Sequence, residues 1–376
     1  MRVCYVIDSL VASGGAEQSL ASMAPGLIRN GVDLHVISLS DAPGLQVRII
    51  ESGATLTSIP GRSVTASAAA LSKQLRALRP DLLHTTLARA NAVGRAASIR
   101  TSTPLVTSLV NVSYGPEYLQ DPGLRAWKVR VLHAADAMSA RRVRRYHALT
   151  EHVADVMAAR LMYPRSRIDI VPRGRDPEQL GSASDSRRRR VRAELGIGRE
   201  PVVLTAARHE RQKGLDVVIR AFAKVRAAVP EALLLMAGRE GNQTAALRRL
   251  VDDMGLAEAV TFLGTRTDVP DLLCACDVFV MPSRWEGLGS VLLEAMALGA
   301  PIVATDIPPI RETVGQQAIR VPVEDDDALA SGILRTLDDR PAATERARAA
   351  TLRFDRHYTL ERVSRDMVRF YERALA

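Results

Sequence analysis

Aromatic residues make up only 4% of this 376-residue sequence, and there are three cysteines, Cys4, Cys274 and Cys276. So few rings argue against a surface that stacks nucleic-acid bases, which needs aromatics interleaved with basic residues. The cysteine count is odd, and one residue separates the close pair. Zinc pairs carry about two to four intervening residues, and disulfide scaffolds need even numbers at regular spacing. Three buried thiols in a reducing compartment are therefore expected. Long apolar runs are also missing. Stretches such as Val278–Met281 and Leu233–Ala237 are far below the roughly 18 residues of a membrane span. The opening residues 1–8 are strand-like and broken by Asp8 and Ser9, too short for a secretory signal, so a cytoplasmic location is expected.

Apolar residues reach 47% and charged residues 25%, the proportions of a globular chain with a substantial core. The length suggests two domains. A net charge of +9 comes mostly from arginine, partly concentrated in runs at 141–145 and 187–190. Such runs fit a solvated helix face, and they leave open a loose, peripheral contact with the anionic inner face of a membrane. Nucleic acid is not an expected partner.

Short β-branched runs alternate with helical stretches throughout. Strands are expected at 3–7, 34–39, 82–84, 105–108, 147–149 and 168–171, then at 202–206, 233–237, 260–263, 278–281 and 302–304. Helices are expected at 16–29, 66–79, 89–100, 124–140 and 151–161, then at 215–228, 244–254, 269–274 and 291–298. This alternation predicts an α/β protein with two Rossmann-like, doubly wound parallel-sheet domains facing across a cleft. The pattern restarts near Val202, so domains at 1–180 and 181–356 are expected, with the polar stretch 175–198 as the link. In the tail 357–376, Leu360, Val363, Met367, Phe370 and Tyr371 recur at helical spacing.

The chemistry concentrates after three strands. The run from Glu286 through Gly287, Leu288, Gly289 and Ser290 to Glu294 reads as strand, glycine loop, helix, ended by Gly299 and Pro301. Ser290 is the expected cap of that helix. Two glutamates beside a helix start suit a nucleotide sugar: carboxylates grip hydroxyls while backbone N–H groups meet the diphosphate. Arg208 and Lys213 occupy the turn after the first strand of the second half, where an open α/β sheet binds its ligand, and both suit phosphate. In the first half, Ser13, Gly14, Gly15, Ala16 and Glu17 follow the first strand but lack the third spaced glycine of a dinucleotide fingerprint. His84 ends a strand and so is expected to reach the cleft. The triplet Asp325, Asp326 and Asp327 is read as a helix start rather than a metal site.

With these pieces placed, the chain resembles glycosyltransferase family 4, the retaining enzymes of the GT-B fold. The likeness lies in the Glu286 to Glu294 stretch, in Gly14 to Glu17, in Arg208 with Lys213 and Gly214, in Phe262-Leu263-Gly264, and in the turn 170–176. In that turn Arg173 and Arg175 stand where the family has asparagine and valine. The resemblance implies a nucleoside-diphosphate sugar, UDP- or GDP-linked, and a hydroxyl acceptor that is a glycan, a lipid-linked sugar or a small molecule. It implies that Arg208 and Lys213 neutralise the leaving diphosphate. Glu286 would hold sugar hydroxyls and Glu294 the ribose. Gly14, Gly15, Gly264, Gly287, Leu288 and Gly289 would line the donor. No cofactor or metal is implied, and the final helix would return to the first domain. Where the family often has a sugar-contacting histidine, this chain has Val110; either Asn111 substitutes or a different sugar is used. His84 and Asn111 are the acceptor-side candidates. Two rivals share these residues: a nucleotide-sugar epimerase or hydrolase, and a non-catalytic nucleotide-binding relative.

Overall fold

The structure is a computed structural model that describes residues 1–12, 14–61, 63–115 and 126–376. Ser13 of the glycine loop, and Leu124 and Arg125 at the start of one expected helix, lie outside the described residues. The chain divides into two compact units, Met1–Gly174 with Leu360–Ala376, and Arg175–Thr359.

The first unit holds a seven-stranded sheet: β1 (Arg2–Ile7), β2 (Asp33–Ser38), β3 (Thr55–Ser58), β4 (Leu82–Thr86), β5 (Leu105–Leu109), β6 (Arg145–Ala148) and β7 (Ile168–Ile170), in the order β3-β2-β1-β4-β5-β6-β7. The second unit holds six: β8 (Val202–Ala206), β9 (Leu233–Ala237), β10 (Val260–Gly264), β11 (Val278–Met281), β12 (Ile302–Thr305) and β13 (Ile319–Val321), in the order β10-β9-β8-β11-β12-β13. All described pairings are parallel. The central strands are buried along their length, as in β11, where all four residues are enclosed. Helices covering both sheet faces make that necessary, and it is why these strands read as unbroken apolar runs. Strand order reverses between β1 and β4 and again between β8 and β11. In open α/β sheets, ligands bind outside the strand C-termini at such a reversal.

Residues 175–198 are not a bare link; they belong to the second unit. Helix Asp185–Glu194 packs on helix Val269–Ala275 because its arginines are paired rather than solvated. Arg187 Nε donates to Asp271 at 2.6 Å, and Arg188 and Arg192 share Asp277 at 2.8 and 3.5 Å, with Arg340 joining at 2.6 Å. Burial alone would raise the Asp277 carboxyl. The Val202 N–H and these guanidinium groups instead bring it below its ordinary value.

The last helix, Leu360–Leu375, belongs to the first unit and packs on helix Gly15–Arg29. All five expected apolar residues, Leu360, Val363, Met367, Phe370 and Tyr371, are buried there. The three cysteines are free and buried, and burial pushes the Cys4 thiol up to about 12. Asp325 caps the helix Asp326–Asp338 by accepting from Ala328 N–H at 2.8 Å. Among the described residues no helix is long and apolar enough to cross a membrane.

Candidate functional site

In the second unit, the loops leaving β8 and β11 lie side by side at the reversal point. The β8 loop runs through residues 207–210 into a short turn, Arg211–Lys213, and ends on Gly214. The β11 loop carries Pro282 to Gly289 before helix Ser290–Ala297. Backbone and side-chain bonds zip them together. Arg284 N–H donates to the Gln212 carbonyl at 2.8 Å, and Gln212 Nε2 donates to the Trp285 carbonyl at 2.8 Å. Arg284 extends the clamp to Asp216 and Glu324. The zip brings Lys213 Nζ onto Glu286 Oε1, an oxygen that also accepts from Ser283 Oγ at 3.0 Å. The Glu286 carboxylate is only 8% exposed and the lysine 17%, so this is a largely desolvated pair.

Glu294 sits within helix Ser290–Ala297. It is held by Arg175, whose Nε donates to Glu294 Oε1 at 2.8 Å. Arg208 lies in the same loop as Lys213 and is exposed. Gly287, Leu288 and Gly289 are buried in the β11 loop. Thr313 Oγ1 donates to the Leu288 carbonyl at 3.2 Å. Gly264 ends β10, two strands away from β8, and its carbonyl accepts from Gly238 N–H at 2.7 Å. The expected Ser290 cap is not formed: Gly289 is the capping residue and no side chain caps the helix. Glycine has no side chain with which to cap the first turn.

His209, beside Arg208, is buried, with Nδ1 on Thr244 Oγ1 at 3.0 Å and its ring edge-on to Phe262. It packs under the loop rather than lining its surface.

The first unit places its candidates differently. Gly14 precedes helix Gly15–Arg29, and no side chain caps that helix either. A methyl group on Gly15 would come within 2.8 Å of Arg173 Nη1, so the guanidinium lies directly on the glycine. Asn111 follows β5, partly exposed, and its Oδ1 accepts from Val112 N–H at 2.9 Å. Val110 and Arg173 line the same small cavity, with Tyr5, Thr86, Ser108 and His147.

His84 corrects its expectation. The strand continues through Thr85 and Thr86, so His84 lies mid-strand and is fully buried. Its Nδ1 meets Tyr371 Oη and its Nε2 meets Ser108 Oγ, both at 2.7 Å. Ser108 Oγ also meets His147 Nδ1 at 2.9 Å, and His147 Nε2 meets the Val171 carbonyl at 2.6 Å. A carbonyl can only accept, so His147 Nε2 carries a proton and its Nδ1 accepts from Ser108. Ser108 then accepts from His84 Nε2–H, and Tyr371 donates to His84 Nδ1. The chain is fully determined with both rings neutral, and no acceptor reaches His84 without displacing one of these partners.

This chain has a pH consequence. Burial lowers His147 to about 4 and His84 well below its ordinary 6.5. Below pH 6.5 the unfolded chain takes up protons that the folded chain refuses, so stability falls with pH until the folded value is reached. The slope is about 1.4 kcal/mol per pH unit for each histidine, or roughly 3 kcal/mol from His147 alone by pH 4. Asp8, whose carboxyl burial raises, opposes this in part. Denaturant midpoints measured from pH 7 to 4 should fall across that window. They should fall less in His147→Gln, and a flat wild-type profile would rule the neutral chain out.

Two Rossmann-like units with all-parallel sheets are the GT-B fold. The crystal structure of Anabaena HepE in complex with UDP-glucose superposes with a TM-score of 0.87 at 21% identity, covering 99% of this chain and 100% of that one. Residues 13–179 match the model of Glycosyltransferase Family 4, and residues 187–353 match that of Glycosyl transferases group 1. The 2-deoxystreptamine N-acetyl-D-glucosaminyltransferase of Streptomyces fradiae is 31% identical over 81% of this chain and 74% of its own length. The chain therefore belongs to the family 4-type glycosyltransferases. It is also 31% identical to the lipopolysaccharide core biosynthesis mannosyltransferase LpsB of Rhizobium meliloti, over 49% of this chain and 55% of that protein, so that match spans about half the relative's length.

Sequence reasoning missed Ser283 and Gln212, whose roles come from loops that meet only in the fold, and the Arg175 contact with Glu294. Arg175 did carry a signal, since it departs from the resembled turn.

Proposed function

We propose that this protein transfers a sugar from a nucleoside-diphosphate sugar to a hydroxyl acceptor with retention of anomeric configuration, and that the second unit binds the donor. The observation that carries this reading is the Lys213–Glu286 pair, formed by two loops zipped together at the β8/β11 reversal, with Glu294 on the helix that follows. In this reading Glu286 orders Lys213 and accepts from sugar hydroxyls. Lys213 and the exposed Arg208 neutralise the departing diphosphate, and Glu294 accepts from the ribose. Gly264 and the Gly287–Leu288–Gly289 loop border the donor. The bond from the anomeric carbon to the phosphate oxygen breaks, and a bond to the acceptor oxygen forms on the same face. The acceptor's proton passes to the leaving phosphate. Both glutamates are committed to binding, so neither serves as nucleophile.

Fixed cations aimed at the oxygen that gains charge stabilise this transition state by a few kcal/mol each. They supply the positive charge, and turnover is expected to persist in excess chelator. The test is to titrate UDP and GDP by calorimetry, then to follow the anomeric configuration of the product by NMR with the matching donor sugar. Binding of one nucleotide and a retained anomer are expected. An inverted product or a trapped glycosyl-enzyme would overturn the mechanism, and donor consumption without an acceptor would favour a hydrolase or epimerase.

A peripheral membrane contact fits the first unit. Helix Ala126–Ala140 leaves Trp127, Val131, Leu132 and Met138 exposed, with Lys128, Arg130, Arg141 and Arg142 exposed nearby. Apolar side chains edged by cations suit an anionic bilayer surface. The protein should float with phosphatidylglycerol vesicles at low salt and be released at high salt; sedimentation free of lipid at both would exclude the contact.

A further inference from the structure

The Arg175–Glu294 pair is built from two anchored backbones. Arg175 N–H donates to the Tyr358 carbonyl at 2.9 Å, and Arg175 forms a parallel bridge with Thr359. Asp176, the next residue, caps the short helix Pro177–Leu180 by accepting from Glu178 N–H at 3.0 Å. That helix packs on helix Ser290–Ala297, which carries Glu294. The guanidinium therefore cannot drift far from the carboxylate. Both side chains are mostly shielded, 19% and 17% exposed, so the contact is not a solvated surface pair of negligible strength. Arg175 Nε donates to Glu294 Oε1, and among the described residues no hydrogen bond is made to Oε2.

We propose that Arg175 is a positioning residue for recognition of the ribose. It fixes the rotamer of Glu294 and aims Oε2, the oxygen it leaves open, at the ribose hydroxyls of the donor nucleotide. This rests on the donor-site reading above. A free glutamate loses rotamer freedom when it captures a diol, and a pre-aimed one has already lost it. The gain appears only with a ligand that carries the hydroxyls. Arg175 should therefore affect ribonucleotides and leave dideoxynucleotides untouched.

The experiment is calorimetric titration of whichever of UDP or GDP the wild-type protein binds, alongside its 2′,3′-dideoxy counterpart. The proteins are wild type, Glu294→Gln, Arg175→Val and Arg175→Lys, each checked for a wild-type melting profile. Arg175→Val should weaken the ribonucleotide by about tenfold while leaving the dideoxynucleotide unchanged, collapsing discrimination toward that of Glu294→Gln. Arg175→Lys keeps the charge without the Nε geometry and should recover only part of the discrimination. If Glu294→Gln loses discrimination while Arg175→Val keeps it, the positioning role is wrong. If Arg175→Val weakens both nucleotides equally, Arg175 is a structural or phosphate contact and the proposal is again overturned. If the wild type binds neither UDP nor GDP, the donor-site reading itself fails.

Discussion

Replacing Lys213 by alanine should reduce turnover by about 100- to 1,000-fold, the usual cost of losing one fixed group aimed at developing charge. The same change has a second effect, which follows from the burial of its partner. With Lys213 gone, the Glu286 carboxylate, only 8% exposed in the wild-type structure, keeps the hydrogen bond from Ser283 Oγ but loses its counter-charge. Removing one member of a desolvated pair costs about 3–5 kcal/mol because the remaining charge is uncompensated. Lys213 is itself partly open to water, so the lower end applies. Loss of rate alone could then be blamed on unfolding. The double variant Lys213→Ala with Glu286→Gln separates the two effects: a neutral amide still accepts from Ser283 and leaves no orphan charge. Its denaturant midpoint should return most of the way to wild type while turnover stays low. Wild-type rates in Lys213→Ala would remove the phosphate assignment. A double variant as unstable as the single one would remove the buried-pair account.

That pair was half visible in the sequence. Lys213, Glu286 and Glu294 have residue types and positions after strands that suggest ligand contact. The backbone zip that joins their loops leaves no compositional trace, because carbonyls and N–H groups are common to every residue. The same limit explains Arg175: it lies 119 positions before Glu294, and no local pattern links them. The fold was more legible, since buried parallel strands must be apolar throughout and the final helix must show its buried face at helical spacing. The elements that sequence reading passed over had other signatures. β3 (Thr55–Ser58) and β13 (Ile319–Val321) are short edge strands, and β3 is largely polar, as one open side allows. Helix Pro308–Val314 begins with two prolines, which read as a break yet are well tolerated in a first turn. Helix Arg340–His357 buries Ala343, Ala347, Ala350 and Phe354, mostly alanines too small to register as an apolar stripe. The arginines after Asp185 looked like a solvated run because their partners, Asp271 and Asp277, lie more than 80 residues downstream.

The second large effect is expected at Gly214, where the β8 loop passes close to the backbone of Pro282. A methyl group built there would lie 2.1 Å from the Pro282 carbonyl oxygen, and the backbone has φ +61°. These are two separate penalties. The left-handed conformation alone costs an alanine about 1–2 kcal/mol. The clash is with backbone, so no rotamer change relieves it, and the Pro282 side is itself tethered by Thr305 Oγ1 donating to the Ser283 carbonyl at 2.6 Å. The loops must part by about an ångström, and an error of that size in a reacting geometry costs on the order of 100-fold. Parting them also strains the Gln212–Trp285 and Arg284–Gln212 bonds that bring Lys213 to Glu286. Gly214→Ala should therefore lose donor affinity and at least about 100-fold in turnover, with a few kcal/mol of stability, although it removes no side chain. Gly255 provides the control: its φ is +66° and nothing lies within 4 Å of an added methyl. Gly255→Ala carries the conformational penalty without the collision, so it should melt slightly earlier and turn over at the wild-type rate. If Gly214→Ala behaves like Gly255→Ala, the β8 and β11 loops are not held at the distance seen here, and the Lys213–Glu286 contact does not depend on their meeting.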